Sequence, residues 1–432
     1  MADGGSWSIS GMAKAGQDGA KETAKYYSQS SPDERRLVKA SFFTGITGGI
    51  LWYPLILYWD ALGFSSTEIG IMGALGTGAG VISLLVGGYL ADRMGRKKLY
   101  VVGLVATALG FLLFISERNI VVFTAAYALT SIGSSLAWPS LIALMATKTT
   151  AQKSKYFYGV QGFANQLGLT VAMFFGVFGP PFMEREYGTE LSSAYNLVFV
   201  AVAICAIAPF MFVLKIADQR MTQTRVILSY DKKMRERLFV YSFQNSLIGI
   251  GAAFVIPWLA LIFGEGMGAS FEWVAVIFTF ANAVIAVGWF IVPKFSDFRG
   301  SVALIAGCQI ASVAFMVAIP YSPMLIGVAI LYALRSFLML VPQPVLNAYV
   351  MNICTEEIRA SFLAMSQLAW QLGYSASFAL AGTYWADDYS KTGPFWIGGA
   401  LYVAGSVIFY EYFRRISEFG HVKAAPTKAI PE

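Results

Sequence analysis

The chain repeats itself at a fixed offset of 205 residues, and this internal duplication constrains its fold more than any other feature. The tripeptide Tyr-Ala-Leu at 127–129 returns at 332–334, and Gln-Leu-Gly at 166–168 returns at 371–373. Single positions match at the same spacing: Pro139 with Pro344, Asp92 with Asp297, and Gly95 with Gly300. Because both copies lie within long apolar stretches, the sequence predicts two homologous halves embedded in a membrane.

The composition excludes an ordinary soluble protein. Apolar residues make up 57% of the chain and charged residues 13%, and the mean hydropathy is +0.61. A helix that crosses a bilayer needs roughly 20 mostly apolar residues. Charged residues, glycines and prolines delimit twelve such segments, at 38–60, 68–91, 98–116, 119–147, 156–179, 194–216, 238–263, 271–294, 301–320, 323–352, 361–386 and 394–415. The predicted fold is therefore an all-α membrane protein with twelve transmembrane helices in two pseudo-symmetric six-helix bundles.

The same breaks divide the chain into five predicted segments. These are an N-terminal tail (1–37), an N-terminal six-helix bundle (38–216), a basic linker (217–237), a C-terminal six-helix bundle (238–415) and a C-terminal tail (416–432). The polar N-terminal tail contains no apolar stretch of the kind found in a cleavable signal peptide. Ser31, followed by Pro32 and two acidic residues, is typical of a helix N-cap and predicts where the first membrane helix begins.

The basic residues predict the orientation in the membrane. Of the 31 Lys and Arg residues, all but four fall in tails and loops that share one side of the bilayer. Arg118, Arg185 and Lys391 fall on the other side, and Arg335 falls within a span. Because basic loops stay in the cytoplasm, we expect a multi-pass plasma-membrane protein with both termini cytoplasmic. The net charge of +6 then reflects topology, and no nucleic-acid partner is expected.

No pattern of catalytic or metal-ligating residues is apparent in the sequence. The three cysteines have neither metal-site spacing nor the pattern of a disulfide framework, and the single histidine, His421, lies in the C-terminal tail. The glycine-rich stretch at 76–80 lacks the Lys-Ser/Thr that completes a phosphate-binding loop. We therefore expect no metal, no cofactor and no enzymatic activity, and a monomer in the lipid bilayer.

A motif after the second predicted span resembles the signature of the major facilitator superfamily. Residues 88–98 read Gly-Tyr-Leu-Ala-Asp-Arg-Met-Gly-Arg-Lys-Lys, similar to the family's G-x-x-x-D-R-x-G-R-[KR]. The resemblance implies a gating role for Gly88, Asp92, Arg93, Gly95 and Arg96. In the family, the aspartate faces the positive N-terminal end of helix eleven, which would hold the halves together when the outside is open. The basic residues alone also fit simple topology. In the second copy only the acid, Asp297, and a glycine remain.

The resemblance implies a secondary transporter that moves a small organic molecule by alternating access. Residues 176–181, Gly-Val-Phe-Gly-Pro-Pro, are similar to the helix-five signature of the drug/proton antiporter branch, with altered spacing. This similarity favours efflux coupled to protons. The alternative is an uptake carrier or uniporter for an anionic or polar solute. An ordinary helix end also accounts for the same six residues.

Arg335 is the one charged residue that the sequence places deep within a span. Eleven residues at 1.5 Å each put it about 17 Å into the tenth predicted helix, near the middle of a bilayer core of ~30 Å. A central arginine costs roughly 3 kcal/mol on insertion scales, so it must face a wet cavity or a partner. One interpretation is contact with an anionic or strongly hydrogen-bonding substrate. The other is bonding to backbone carbonyls near Pro342 and Pro344.

No carboxylate is predicted at comparable depth. Proton coupling normally requires a titratable group that reaches both sides of the membrane in turn. Asp60, at the outer end of the first span, is the nearest candidate for proton coupling, although a helix-end residue in contact with water fits the sequence equally well.

Polar amides and aromatic residues within the spans are the remaining candidates for substrate binding. Gln367, Trp370, Gln371 and Tyr374 recur at intervals of three or four and form one stripe on a helix. Amides elsewhere add Gln161 and Asn165 in the fifth span and Asn282 in the eighth. Such groups suit a pocket with a few polar contacts, whereas hydrogen bonding between helices alone also explains Asn165 and Gln166.

Overall fold

The computed structural model describes residues 9–116, 118–149, 151–216, 231–291, 301–340, 342, 343, 346, 349, 353 and 359–419. Within these residues all the regular secondary structure is helical, as the sequence predicts. The helices are α1 (Ile9–Ser28), α2 (Pro32–Ala61), α3 (Ser66–Met94), α4 (Arg96–Leu113), α5 (Ile120–Ala146), α6 (Ala151–Tyr187), α7 (Leu191–Val213), α8 (Lys232–Val255), α9 (Phe271–Ile291), α10 (Ser301–Ala318), α11 (Leu325–Leu340), α12 (Arg359–Trp385) and α13 (Gly393–Phe419).

Serine caps fix the beginnings of the first two membrane helices. Ser31 accepts a hydrogen bond from the Glu34 backbone N–H (3.2 Å), and Glu34 accepts one from the Ser31 N–H (2.7 Å). Ser65 and Glu68 form the same reciprocal pair ahead of α3. Such a capping box satisfies backbone donors that have no partner within the helix. The N-cap predicted at Ser31 is confirmed.

Helices α2–α7 and α8–α13 form two bundles with the same internal packing. In the first bundle α2 packs against α6 and α7, and in the second α8 packs against α12 and α13. Among the described residues, nine helical segments are long and apolar enough to cross a membrane, and α11 is a shorter apolar helix. The two that remain, α4 and α12, begin with basic residues or carry many polar ones. The predicted all-α membrane fold with two six-helix bundles is confirmed.

The repeated Gln-Leu-Gly sequence marks a close helix crossing in each bundle. A Cβ atom added to Gly168 of α6 would collide with the backbone of α2 at Phe42, and one added to Gly373 of α12 would collide with α8 at Ser246. Glycine removes that obstacle and lets two helix backbones touch. The two copies of the motif therefore form equivalent packing contacts in the two bundles.

Three local features differ from the sequence-based expectation. The predicted loop at 180–193 begins too early, because α6 continues through Pro180 and Pro181 to Tyr187. A ladder of stacked rings along α6, Phe174 on Phe178 and Phe178 on Phe182, supports this extension (centroid separations 5.4 and 5.3 Å).

The seventh span is broken near Pro257, where α8 ends and a π-helical turn follows at Ile262–Gly266. The N-terminal tail contains α1, which packs against α6 and α9.

The two bundles meet along two pairs of helices, α3 with α12 and α6 with α9. We call the face where α2 begins the amino-terminal face, and the face where α2 ends the opposite face. On the opposite face, Ser66 and Asp387 exchange two hydrogen bonds of 2.6 and 2.8 Å between α3 and the loop after α12. Arg185 of α6 forms an ion pair with Glu272 of α9 there (3.0 Å). Both helix pairs are thus tied together on the opposite face.

Candidate functional site

A cavity of about 600 Å³ lies between the bundles, and we call it the large chamber. Its wall comes mainly from α8–α13, with Trp52, Tyr53, Gln166, Leu169 and Met173 added by α2 and α6. Tyr241 and Ser366, close to the beginnings of α8 and α12, also line it. The large chamber therefore extends from the middle of the fold towards the amino-terminal face.

Arg335 of α11 lies in the wall of the large chamber and is only 8% exposed. One guanidinium nitrogen, Nη2, donates to the Tyr402 hydroxyl at 2.9 Å, and the guanidinium carbon lies 5.6 Å from the centre of the same ring. Nε has no hydrogen-bond partner among the described residues. No carboxylate in the described ranges forms an ion pair with Arg335. The positive charge is therefore stabilised by a neutral hydroxyl group and by the face of an aromatic ring.

Two buried amides join the halves beside this chamber. Gln166 of α6 donates to the side-chain oxygen of Asn282 of α9. Asn282 in turn donates to the Phe278 carbonyl at 2.7 Å. The pair links α6 to α9, and because both amides also line the large chamber, it presents polar atoms to that chamber.

The predicted stripe on α12 separates the large chamber from a second cavity of about 260 Å³, the small chamber. Trp370 and Tyr374 belong to both walls, whereas Gln367 lines the large chamber and Gln371 the small one. The rings of Trp370 and Tyr374 stack with centroids 5.1 Å apart, and Trp52 of α2 meets Tyr374 edge-on at 6.4 Å. These three rings form an aromatic partition between the chambers.

Two other predicted substrate contacts lie outside the walls of both chambers. Asn165 donates to the Ser41 carbonyl of α2 at 3.1 Å, at the crossing of α2 and α6. Gln161 is buried one turn earlier on α6, and its side-chain nitrogen has no partner in the described part of the structure. Their role as substrate ligands stays a prediction.

The signature motif lies at the amino-terminal face. Gly88 is in α3, and Gly95, with a positive φ of 86°, is the turn between α3 and α4. Arg93 is exposed at the end of α3, and Arg96 donates to the Ala143 carbonyl of α5 at 3.4 Å. The side chain of Asp92 and the whole of Asp297 lie outside the described residues. The gating role of the motif stays a prediction.

Asp60 lies at the opposite face, far along α2 from the amino-terminal face. Its carboxyl group lies close to that of Glu265, in the π-helical turn after α8, and Asp387 lies nearby. Glu265 is 205 residues after Asp60, so equivalent positions of the two halves meet here. Proximity of these acids follows from the fold and not from their local sequence.

Sequence reasoning missed several residues of the large chamber. Tyr402, the partner of Arg335, lies 67 residues further along the chain in an apolar stretch, so no local pattern identifies it. Gln309 of α10 lines the chamber and accepts from Ser406 of α13 at 3.0 Å. Its amide within an otherwise apolar span was an available signal.

Comparison with known proteins places this geometry in a family. The model of the Major Facilitator Superfamily matches residues 37–378. The uncharacterized MFS-type transporter YttB of Bacillus subtilis (strain 168) is 23% identical over 284 residues, which are 62% of this chain and 67% of that protein. The minor myo-inositol transporter IolF of the same organism is 34% identical over 89 residues, covering 20% of this chain and 19% of its own length.

The fold itself is similar to that of a solved transporter. A point mutant of the nucleoside transporter NupG superposes with a TM-score of 0.68 over 88% of this chain and 100% of that one, at 14% identity. At this identity the likeness concerns the fold alone. The family match spans most of the chain and agrees with the duplicated helices and the signature motif. The chain therefore belongs to the major facilitator superfamily.

Proposed function

We propose that this multi-pass membrane protein is a secondary transporter that carries a small organic anion, or a solute with a strong hydrogen-bond acceptor, by alternating access. The observation that supports the proposal is Arg335, a buried cation that lines the large chamber without an acidic partner among the described residues. Charge-assisted hydrogen bonds to such a group are among the strongest in proteins. A carboxylate or phosphate of the solute supplies the missing countercharge.

Alternating access agrees with where the bundles touch. The contacts of Ser66 with Asp387 and of Arg185 with Glu272 close the opposite face, and the large chamber extends towards the amino-terminal face. With the amino-terminal face in the cytoplasm, this arrangement is an inward-facing state. In duplicated transporters, rocking one half against the other around a fixed site exposes that site to each side in turn.

A second candidate is proton-coupled efflux, which the carboxyl pair of Asp60 and Glu265 favours. Two carboxyl groups this close favour a state in which one of them holds a proton, because two neighbouring negative charges repel each other. The two groups come from different halves and lie together at the opposite face. Separation of the halves would remove this repulsion and release the proton on that side, which gives a chemical link between pH and conformation.

Flux measurements in proteoliposomes test both candidates. We expect Arg335→Gln to reduce uptake of radiolabelled organic acids at least tenfold, since a hydrogen bond to a charged group contributes about 1.5–3 kcal/mol. Arg118→Gln is the matched control, because Arg118 pairs with Glu190 at an exposed site. Equal flux in both variants for every transported acid would reject the anion site.

The same vesicles test proton coupling. If the carboxyl pair couples transport to protons, an imposed pH gradient drives solute accumulation in the wild type, and Asp60→Asn abolishes that dependence while facilitated exchange continues. Flux that is indifferent to collapse of the gradient would remove proton coupling and leave a uniporter.

A further inference from the structure

The small chamber is the repeat-related image of the large one. Eleven of the sixteen described residues in its wall have their counterpart, 205 positions away, in the wall of the large chamber. Among these pairs are Gln371 with Gln166, Tyr127 with Tyr332, and Ser131 with Ser336. The protein thus holds two versions of one site, which share the aromatic partition of Trp52, Trp370 and Tyr374 as a common wall.

The two versions differ in charge. The counterpart of Arg335 is Thr130, which is buried outside the small chamber and donates to the Tyr127 carbonyl at 2.9 Å. No Asp, Glu, Lys, Arg or His is among the described residues that line the small chamber. An unpaired charge in such a space would be costly. The small chamber therefore suits an uncharged group.

The walls of the small chamber offer ring faces and hydrogen-bond acceptors. Aromatic side chains from α2, α5 and α12 surround it, including Trp59 and Phe378, and such faces stack against a flat or hydroxylated ring. The Thr77 and Ser134 hydroxyls donate to the Gly73 and Thr130 carbonyls of their own helices at 2.7 and 2.8 Å. Their free lone pairs then accept hydrogen bonds, and Gln371 adds an amide.

We propose that the small chamber is a second subsite for the same solute, and that it binds an uncharged, hydroxyl-bearing ring whose attached anionic group lies at Arg335. This inference rests on the proposed function. A solute that spans the partition contacts α2, α3 and α5 of one half and α11 of the other. Its binding then depends on the relative position of the bundles, which is the property that alternating access requires.

Binding of matched compounds to the purified full-length protein in nanodiscs tests the subsite. The first series is 4-hydroxyphenylacetate, its neutral amide and acetate; the second is glucuronate, glucose and acetate. In each, the first compound joins a hydroxylated ring to a carboxylate, and the others carry one part alone. By isothermal titration, we expect at least one joined compound to bind ten times more tightly than either of its parts.

The variant Thr77→Val removes one acceptor of the small chamber at constant shape. We expect it to weaken binding of the joined compound about twofold to twelvefold, the range for one hydrogen bond, and to leave binding of acetate unchanged. Thr107→Val is the matched control, because Thr107 donates to Gly103 on α4 in the same way (2.9 Å) and lies outside both chambers. Gln371→Leu provides a second test from the facing helix.

The outcomes separate the subsite from the anion site. If neither joined compound binds more tightly than its parts, or if Thr77→Val and Gln371→Leu both leave its affinity unchanged, the subsite is wrong. In that case a loss of affinity in Arg335→Gln would still support the proposed anion site. If Arg335→Gln also leaves every affinity unchanged, both proposals fall.

Discussion

The two halves of this transporter are alike where helices touch each other and unlike where a solute would bind. Gly168 and Gly373 make the same crossing in each half, and Asp60 and Glu265 meet across the interface. In contrast, the position equivalent to Arg335 is Thr130. Arg335, Tyr402 and Gln309 form what we call the polar cluster of the second half. Its other two members have apolar counterparts in the first half: Tyr402 corresponds to Leu197, and Gln309 to Leu104.

This difference separates the requirements of movement from those of recognition. Two bundles that rock against each other need matching packing surfaces, because close-packed interfaces tolerate few changes in shape. Recognition of a solute needs only one cation, and a second would leave an unpaired charge in the membrane interior. We therefore expect equivalent substitutions in the packing contacts to reduce stability by similar amounts in both halves. Substitutions in the polar cluster should reduce solute affinity only when they are made in the second half.

The largest effect is expected at the repeated glycines. Gly168→Val and Gly373→Val each place a branched side chain against the backbone of the neighbouring helix, α2 or α8. Overpacking of a tight contact costs about 1–3 kcal/mol, and here the obstacle is backbone that cannot rotate away. Both variants should lower the thermal unfolding midpoint in detergent by similar amounts.

Gly179→Val and Gly307→Val are the matched controls, one from each half, because an added Cβ at either position contacts nothing within 4 Å. If one repeated glycine tolerated valine as well as its control while the other did not, the packing of the two halves would be unequal and the comparison would fail.

A smaller effect, on solute affinity and not on stability, is expected when the second half is given the first half's residue at Arg335. Arg335→Thr gives the second half the residue of the first. Loss of a hydrogen bond to a charged group, about 1.5–3 kcal/mol, predicts an affinity for organic acids that is about 10 to 150 times lower in equilibrium binding. The unfolding midpoint should not fall, since a buried unpaired cation is removed. A destabilised variant with unchanged affinity would make Arg335 a structural residue.

Much of the fold was predictable because the signals were local or repeated. Apolar length predicted the helices, the capping residue Ser31 predicted where α2 begins, and the 205-residue offset predicted two equivalent bundles. The break in the seventh span could not be predicted from its proline alone, because Pro54 lies inside a continuous helix whereas α8 ends just before Pro257. Contacts with neighbouring helices determine whether a helix continues through a proline, and the local sequence does not show those contacts.

The candidate site was predictable only in part. Arg335 and the α12 stripe stood out because polar residues are rare in apolar spans. Asn165 shared that property but bonds to a backbone carbonyl of α2. Tyr402 could not be predicted as a site residue, because tyrosine is common in membrane helices. Its role follows only from its contact with Arg335 of α11. Burial of a polar group can thus be read from sequence, whereas the identity of its partner cannot.

The contact between Arg335 and Tyr402 predicts a further, smaller effect. Tyr402→Phe removes the 2.9 Å hydrogen bond and keeps the ring below the guanidinium. This bond orients the guanidinium, and a solute keeps its own contact with Arg335. Affinity for an organic acid should therefore fall by about 2-fold to 12-fold, the effect of one ordinary hydrogen bond of about 0.5–1.5 kcal/mol. The control is Tyr349→Phe, a buried tyrosine outside both chambers whose hydroxyl donates to the Phe413 carbonyl at 3.3 Å. Equal effects of both variants would indicate general loss of packing.

The smallest effect concerns the equivalent loops on the opposite face. Each carries a carboxylate that accepts a 2.6 Å hydrogen bond from a serine two residues later, Glu190 from Ser192 and Asp388 from Ser390. These bonds lower the pKa of both carboxyl groups, and Arg118 lowers the pKa of Glu190 further. A carboxyl group whose pKa is lowered by folding stabilises the fold above its unfolded pKa, and that contribution disappears as the pH falls through the folded pKa.

The unfolding midpoint of Glu190→Gln should therefore fall less steeply than that of the wild type when the pH is lowered from about 5 to about 3, the region of carboxyl titration. At neutral pH the variant should be slightly less stable. Asp388→Asn should show the same direction with a smaller change, because Asp388 has no arginine partner in the described structure. Parallel profiles for all three proteins would show that these hydrogen bonds do not affect folding, and the likeness of the halves would then end at the helix contacts.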